Sequence, residues 1–372
     1  MRKKPFIYFF LALVLAFGAC SEPIFYMISV EPPITKPLID GHPTNFVEYK
    51  GKLYVASGSR IFNYDGNEWK SSQPGGRIVQ LAATDNFLYA LSLQGSGNSR
   101  SIKYSNGGDW NDMNVINAQS IFAADNVLFI GSGYGDVDNN EIYYVSDTGS
   151  SVGNAAKISG TDGKSLLNGM AYNGTDYFLC TNKSGIFHVS GGSLGTAATI
   201  TESSSINFTG IIGLGNNNIL AISRDGELYN VNTVSVTKIP DISIGNNRFS
   251  TGALAVWEDP KDSTKKLLLA GRQESLIYDV VSGYTYGYME LELDSGGTNG
   301  IKAGINFTEP GKADVSSVAD NERYVSTIGK YPVNHIFQTT VGGNKTLFAS
   351  TQKNGVWSYR QRGSESIWNA EE

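Results

Sequence analysis

Short apolar runs separated by polar turns fill the chain after residue 44, and they recur in a fixed order. The most regular element is an apolar residue, usually followed by an aromatic one, that leads into a turn rich in Gly, Asn and Asp. It occurs at Ile61, Ile102, Ile142, Ile186, Leu228, Ile277 and Val356, in contexts such as RIFNYDG, SIKYSNGG, EIYYVSDTG and GVWSYRQRG. Successive spacings are 41, 40, 44, 42, 49 and 79 residues, and all but the last match a four-stranded propeller blade of about 40 to 50 residues. A second apolar run lies shortly ahead of most anchors, as in Leu53-Tyr54-Val55, Leu88-Tyr89-Ala90, Leu128-Phe129-Ile130, Ile219-Leu220-Ala221 and Leu347-Phe348-Ala349. A turn such as YKGK, ATDN or VGGNK and another apolar run come before it. Apolar residues alternating with small or polar ones are the signature of a strand with one buried face. A fourth strand carrying Trp69, Trp110 or Trp368 closes several units.

The pattern predicts an all-β fold over 45–372, a seven-bladed β-propeller of four-stranded antiparallel blades, with eight blades as the alternative. A parallel β-helix needs a shorter repeat, leucine-rich spacing is absent, and no stretch after residue 20 carries a helical period. The 79-residue interval is about one blade too long. It holds no second anchor, so an insertion at about 284–331 is expected in place of an eighth blade. That interval contains Tyr284, Tyr286 and Tyr288 and a Gly-rich stretch at 294–300. Alternate tyrosines on one strand face would offer broad amphipathic contacts, which makes these three the candidates for partner binding.

The N-terminus has a different pattern. Arg2, Lys3 and Lys4 precede 12 uncharged apolar residues, Phe6 to Phe17, which Gly18, Ala19 and Cys20 close. The run is too short to cross a bilayer as a stable helix, so residues 1–19 read as an export signal. The motif ending at Cys20 resembles the lipobox of bacterial lipoproteins in its relaxed, spirochaete-type form, with Phe17 where Leu is usual. The resemblance implies that Cys20 is acylated and becomes the first residue of the mature protein. Residues 20–44 then read as the lipidated Cys and a tether, since they hold five of the eleven prolines. Residues 24–30 (IFYMISV) are apolar enough to pack on the body.

YSNGGDW (104–110) resembles a degenerate Asp-box, the turn of sialidase-type propellers, and YDGNEW (64–69) is a looser version. In that family the turn is structural, so the likeness implies fold and not activity. The tryptophan-docking repeat of quinoprotein-like lipoprotein propellers is missing. The broader resemblance is to propeller-bearing bacterial lipoproteins.

Charge and composition narrow the function. Only 17% of residues are charged, whereas 42 are aromatic, which excludes a disordered or coiled-coil chain. The net charge of −6, or −9 after loss of 1–19, excludes a nucleic-acid partner, which needs a basic face. With Cys20 acylated, Cys180 has no disulfide partner, and its strand-like context reads as buried and unreactive. His42, His188 and His335 are scattered singles without metal spacing. Arg60, Arg77, Arg100, Arg224, Arg272 and Arg323 are spread over the blades, and ordinary placement in surface turns is the preferred reading over a shared anion site. Asp136, Asp138, Asn140 and Glu141 place oxygens as calcium loops do, but Glu141 stands where such a loop needs Gly, and a solvated hairpin tip is the preferred reading, with calcium a minor alternative. No cofactor is expected.

These readings give a membrane-anchored lipoprotein of the bacterial envelope, with the outer membrane favoured over the inner. Its lipid bilayer contact is through acylated Cys20, and its body acts as a non-enzymatic binding or scaffold propeller for a protein or glycan. A propeller-fold glycan hydrolase or lyase, acting through paired carboxylates at a channel mouth, is the first alternative. An outer-membrane assembly factor, by analogy with known lipoprotein propellers, is the second.

Overall fold

The tight turns that separate the strands are made by side chains that satisfy the reversing backbone. Asp65 Oδ1 accepts from the N–H groups of Asn67 and Glu68, Asn173 Oδ1 from Thr175 and Asp176, and Asn232 Oδ1 from Val234 and Ser235. Each is an Asx-type turn that frees the flanking residues to pair as strands. The computed structural model describes residues 38–371 except 96–98, 114, 116, 134–139, 162, 164–165, 201–202, 216, 241, 243–248, 259–265, 273–286, 295–299, 303–304, 309–327, 329–330, 353 and 363–364.

Seven antiparallel sheets follow one another along the chain. Blade 1 is β1 (Val47–Tyr49), β2 (Lys52–Ser57), β3 (Arg60–Tyr64) and β4 (Trp69–Ser72). Blade 2 is β5 (Arg77–Ala83), β6 (Leu88–Leu93), β7 (Arg100–Ser105) and β8 (Asn111–Met113). Blade 3 is β9 (Ala118–Ala124), β10 (Val127–Ser132), β11 (Glu141–Ser146) and β12 (Ala156–Lys157). Blade 4 is β13 (Leu167–Tyr172), β14 (Asp176–Thr181), β15 (Ile186–Ser190) and β16 (Ala197–Thr199). Blade 5 is β17 (Phe208–Gly215), β18 (Asn218–Ser223), β19 (Leu228–Val231) and β20 (Val236–Lys238). Blade 6 is β21 (Phe249–Glu258), β22 (Lys266–Arg272) and β23 (Tyr288–Leu293), extended by bridges from Ile301 to Leu293 and from Thr308 to Glu290. Blade 7 is β24 (Val333–Val341), β25 (Asn344–Thr351), β26 (Val356–Arg362) and β27 (Glu365–Ala370).

The protein is thus a seven-bladed β-propeller. Blade faces bury against their neighbours, so the second strand of each blade has apolar neighbours on both sides. That is why β6 and β10 read as near-continuous apolar runs and are buried along almost their whole length. Seven apolar clusters result, one at each seam between adjacent blades.

Three sequence expectations need adjustment. Six anchors lie on third strands, but Ile277 lies outside the described residues and the third strand of blade 6 is β23. There Tyr288 pairs with Gly271, the place that Ile186 takes opposite Cys180 and Ile61 opposite Ala56. An insertion beginning at 284 therefore does not describe blade 6, whose sheet includes 288–293; the long β22–β23 connection displaced the repeat. The tether also ends sooner than residue 44. Ile39 is fully buried between the first and last blades, Leu38 N–H donates to Glu371 O at 2.7 Å, and Val356 N–H donates to Ile39 O at 3.3 Å. Ring closure accordingly uses 38–41; residues 24–30 lie outside the described residues.

The seam between first and last blades also brings two backbones together. Gly66 has φ of 102°, and a Cβ there would lie 2.6 Å from the Gly342 Cα, so only glycine fits.

At the preceding seam, Glu258 of blade 6 pairs with Lys266 at 2.6 Å and with Lys345 of blade 7, while Gln338 of blade 7 bonds both the N–H and the C=O of Glu258. Hydrogen bonds from Lys266 and Lys345 pull the Glu258 carboxyl from 4.5 to about 2. A lowered carboxyl pKa stabilises the fold above the ordinary value, and that contribution is lost as pH falls toward 2. The side chain is 36% exposed, so solvent screening limits Glu258→Gln to less than about 1 kcal/mol at neutral pH. Denaturant melts from pH 7 to 2 should show the gap between wild type and variant closing below pH 4.5; a gap that widens there would contradict this pairing.

Candidate functional site

The inner strands begin at one end of the ring, and six of them carry an irregularity there. Their pairing with the second strands shifts next to Gln80, Ser120, Gly169, Gly210, Leu254 and His335. An extra residue in one strand twists it and re-aims its side chains, which is why bulges gather beside sites. Here they surround a cavity of about 550 Å³ on the channel axis, and Val79, Gln119 and Asn168 line it from the bulges.

At this level side-chain amides and a serine hydroxyl link one blade to the next. Asn45 accepts from Leu81 N–H at 2.9 Å and donates to Leu81 O at 2.8 Å. Gln80 treats Ile121 in the same way, at 3.0 and 2.6 Å. Ser120 Oγ donates to Leu167 O at 2.6 Å, and Asn168 Nδ2 donates to Phe208 O at 2.9 Å. Asn168 differs from the other amides, because its Oδ1 is buried without a partner.

Two ionisable side chains line the cavity. Arg100, at the start of β7, donates through Nη1 to Gln119 O at 2.5 Å, and burial lowers its pKa below the ordinary value. His335, in β24 of blade 7, lines the cavity two blades away from Arg100, with Ile336 and Phe337. The remaining wall is apolar or amide-bearing, and no Asp or Glu is among the described lining residues. Such a surface can hold a negatively charged or hydrogen-bonding ligand.

Of the other candidates, Cys20, Asp136, Asp138, Tyr284 and Tyr286 lie outside the described residues. Asn140 is 3% exposed, and its Oδ1 fills the space left by the missing side chain of Gly133. Glu141 is committed elsewhere: its carboxylate takes Lys157 at 2.6 Å and the Tyr143 hydroxyl, along the blade. Among the described residues no cluster of three or more His, Cys, Asp or Glu could hold a metal ion. Tyr288 is 2% exposed and its ring packs edge-on against Trp368 at 5.8 Å, so it belongs to the core at the seam of blades 6 and 7. It presents no face to a partner. His188 sits 3.2 Å from Asp176 and against Phe178, a structural pairing within blade 4. Cys180 is fully buried and its thiol is pushed well up by that burial, which leaves no nucleophile.

Of the six arginines noted in the sequence, Arg100 alone lines the cavity among the described residues. The amides were not singled out by sequence reasoning. Their signal is present as Asn45, Gln80 and Asn168, joined by the hydroxyl of Ser120, one near the start of each successive inner strand.

No protein-family model and no curated protein sequence matches the chain. Solved structures do match. A structure described as YCF48 bound to D1 peptide is 11% identical with a TM-score of 0.53, covering 88% of this chain and 94% of that one. YCF48 from Cyanidioschyzon merolae is 12% identical with a TM-score of 0.54, covering 86% and 96%. The WD40 β-propeller domain of Doa1 is 9% identical with a TM-score of 0.51, covering 88% and 95%. At these identities the likeness is one of fold.

Proposed function

We propose that the protein is a bacterial envelope lipoprotein, anchored in the outer membrane by acylated Cys20, whose propeller binds a protein partner at the channel mouth without catalysing a reaction. The observation that carries the binding part is the lining of the cavity: amides re-aimed by bulges, one cation, apolar walls and no described carboxylate. Paired acids, which a glycoside hydrolase requires, are not among those residues. The likeness to YCF48, whose structure is described with a bound peptide, adds support, since a propeller of this fold can hold a peptide. The anchor rests on the sequence of 2–20 alone.

Both parts are tested in one set of cells, fed a labelled fatty acid and carrying a photo-crosslinking residue at Gln119 or, as a rim control, at Lys238. The wild type should take up label and form a discrete adduct from Gln119 but not from Lys238. Cys20→Ala should lose the label and leave the membrane fraction. Label retained by Cys20→Ala would overturn the anchor, and equal adducts from both positions would overturn the channel as the binding site.

A further inference from the structure

Among the described residues that line the channel, one cation has no counter-charge and one acceptor has no donor, and they lie on a single run of bonds. Arg100 offers five N–H donors, of which Nη1 bonds Gln119 O. No described carboxylate lines the cavity to compensate it, and an arginine stays protonated at neutral pH even when burial lowers its pKa. The residue after Gln119 is Ser120, whose hydroxyl bonds Leu167 O, and the residue after Leu167 is Asn168 with its buried, unpartnered Oδ1. The run crosses blades 2, 3 and 4. Asn45, Gln80 and Gln338 each use both halves of their amide on a neighbouring blade, whereas Asn168 uses only its nitrogen. A buried acceptor left open costs stability unless a partner arrives.

We propose, building on the binding reading above, that the channel takes the C-terminal end of a peptide chain, its carboxylate on Arg100 and a backbone N–H on Asn168 Oδ1. A carboxylate matches the guanidinium fork in two parallel bonds. An N–H within a residue or two of that carboxylate is a feature of every peptide end, and it satisfies the orphan oxygen once the Asn168 side chain turns it toward the cavity. Phe122, Met170, Ile211 and Phe337 supply apolar walls for the side chains, which favours a peptide over a sugar acid. The cavity volume of about 550 Å³ suits a few residues, and a chain end enters it without doubling back.

The test uses the purified full-length protein in detergent and two pools of acetylated, apolar tetrapeptides, identical except that one ends in a free carboxylate and the other in an amide. Calorimetry should show binding of the free-acid pool and roughly ten- to hundredfold weaker binding of the amidated pool, the cost of a lost charge-assisted pair. Arg100→Gln should bring the free-acid pool down to the amidated level, and Arg100→Lys should retain part of the difference. Because Arg100 also bonds Gln119, His335→Glu provides a second variant that leaves that bond in place; its added negative charge should weaken the free-acid pool and spare the amidated one. Equal binding of the two pools, binding of neither, or full binding by Arg100→Gln overturns the inference, as does glucuronic acid outcompeting the peptides. If the pools fail while the Gln119 adduct still forms in cells, the carboxylate site falls and the binding propeller stands. If both fail, both fall.

Discussion

Phe348→Ala is expected to destabilise the protein by about 3–5 kcal/mol, the range for truncating a buried Phe, and to do so by opening the ring at one seam. Phe348 is fully buried in β25 of blade 7, and its ring meets three aromatic rings of the first blade: Phe46 at 6.1 Å, Tyr64 edge-on at 6.0 Å and Trp69 edge-on at 6.2 Å. The loss is large against a total stability of about 5–15 kcal/mol. Blades 1 and 7 are distant in sequence, so their seam has no short connecting loop to hold it and depends on side chains. Phe129 provides the contrast. It is equally buried and packs on Tyr177 at 4.9 Å, but it bridges blades 3 and 4, which follow one another along the chain. Native-state hydrogen exchange should therefore rise chiefly in blades 1 and 7 for Phe348→Ala and show no such localisation for Phe129→Ala. Phe348→Leu keeps most of the volume and should cost less than about 1.5 kcal/mol. Uniform exchange in Phe348→Ala would show that the ring opens nowhere in particular.

The repeat was legible because each blade's third strand starts with a buried apolar residue whose position the turns hold in register. Ile61, Ile102, Ile142, Ile186, Leu228 and Val356 all occupy that place. It failed at blade 6 because Tyr288 takes the place without a turn like the others behind it, and Ile277 mimics the pattern upstream. The same failure turned a core tyrosine into a surface candidate, since alternation along a strand does not say which face is buried when a neighbouring blade covers one side and a loop the other. Ile39 was hidden by the prolines around it. The channel was illegible for another reason: its residues come from different blades, and only the packing of one blade on the next places Arg100 beside the Gln119 carbonyl and Asn168 beyond it. Small polar residues at the start of inner strands do recur at the blade period, so the ring of amides was in principle readable. The unpartnered Asn168 oxygen was not, because the other amides differ from it only in what they touch.

Glu371→Ala is expected to cost about 2–4 kcal/mol, because the carboxylate holds two donors at the seam where the ring closes. Glu371 is 7% exposed. One oxygen accepts from Trp69 Nε1 of blade 1 at 2.8 Å, and the other accepts from the hydroxyl of Ser358, which is fully buried in blade 7. The backbone of the same residue bonds Val356 O through its N–H and takes the Leu38 N–H on its C=O, so residue 371 ties the first blade, the last blade and the start of the body together. Alanine would leave the Trp69 N–H and the Ser358 hydroxyl facing a void. Glutamine would behave differently: its carbonyl can still accept from Trp69, and its NH₂ can donate to Ser358 Oγ, which accepts as well as donates. Glu371→Gln should therefore lose the charge assistance and keep the geometry, at about half the cost of alanine or less. Urea denaturation of both variants and of Trp69→Phe decides the point. In a double-mutant cycle, Trp69→Phe and Glu371→Ala should together cost clearly less than the sum of the two singles, because each removes the same bond. Additive costs would show that the carboxylate and the indole do not hold the seam together.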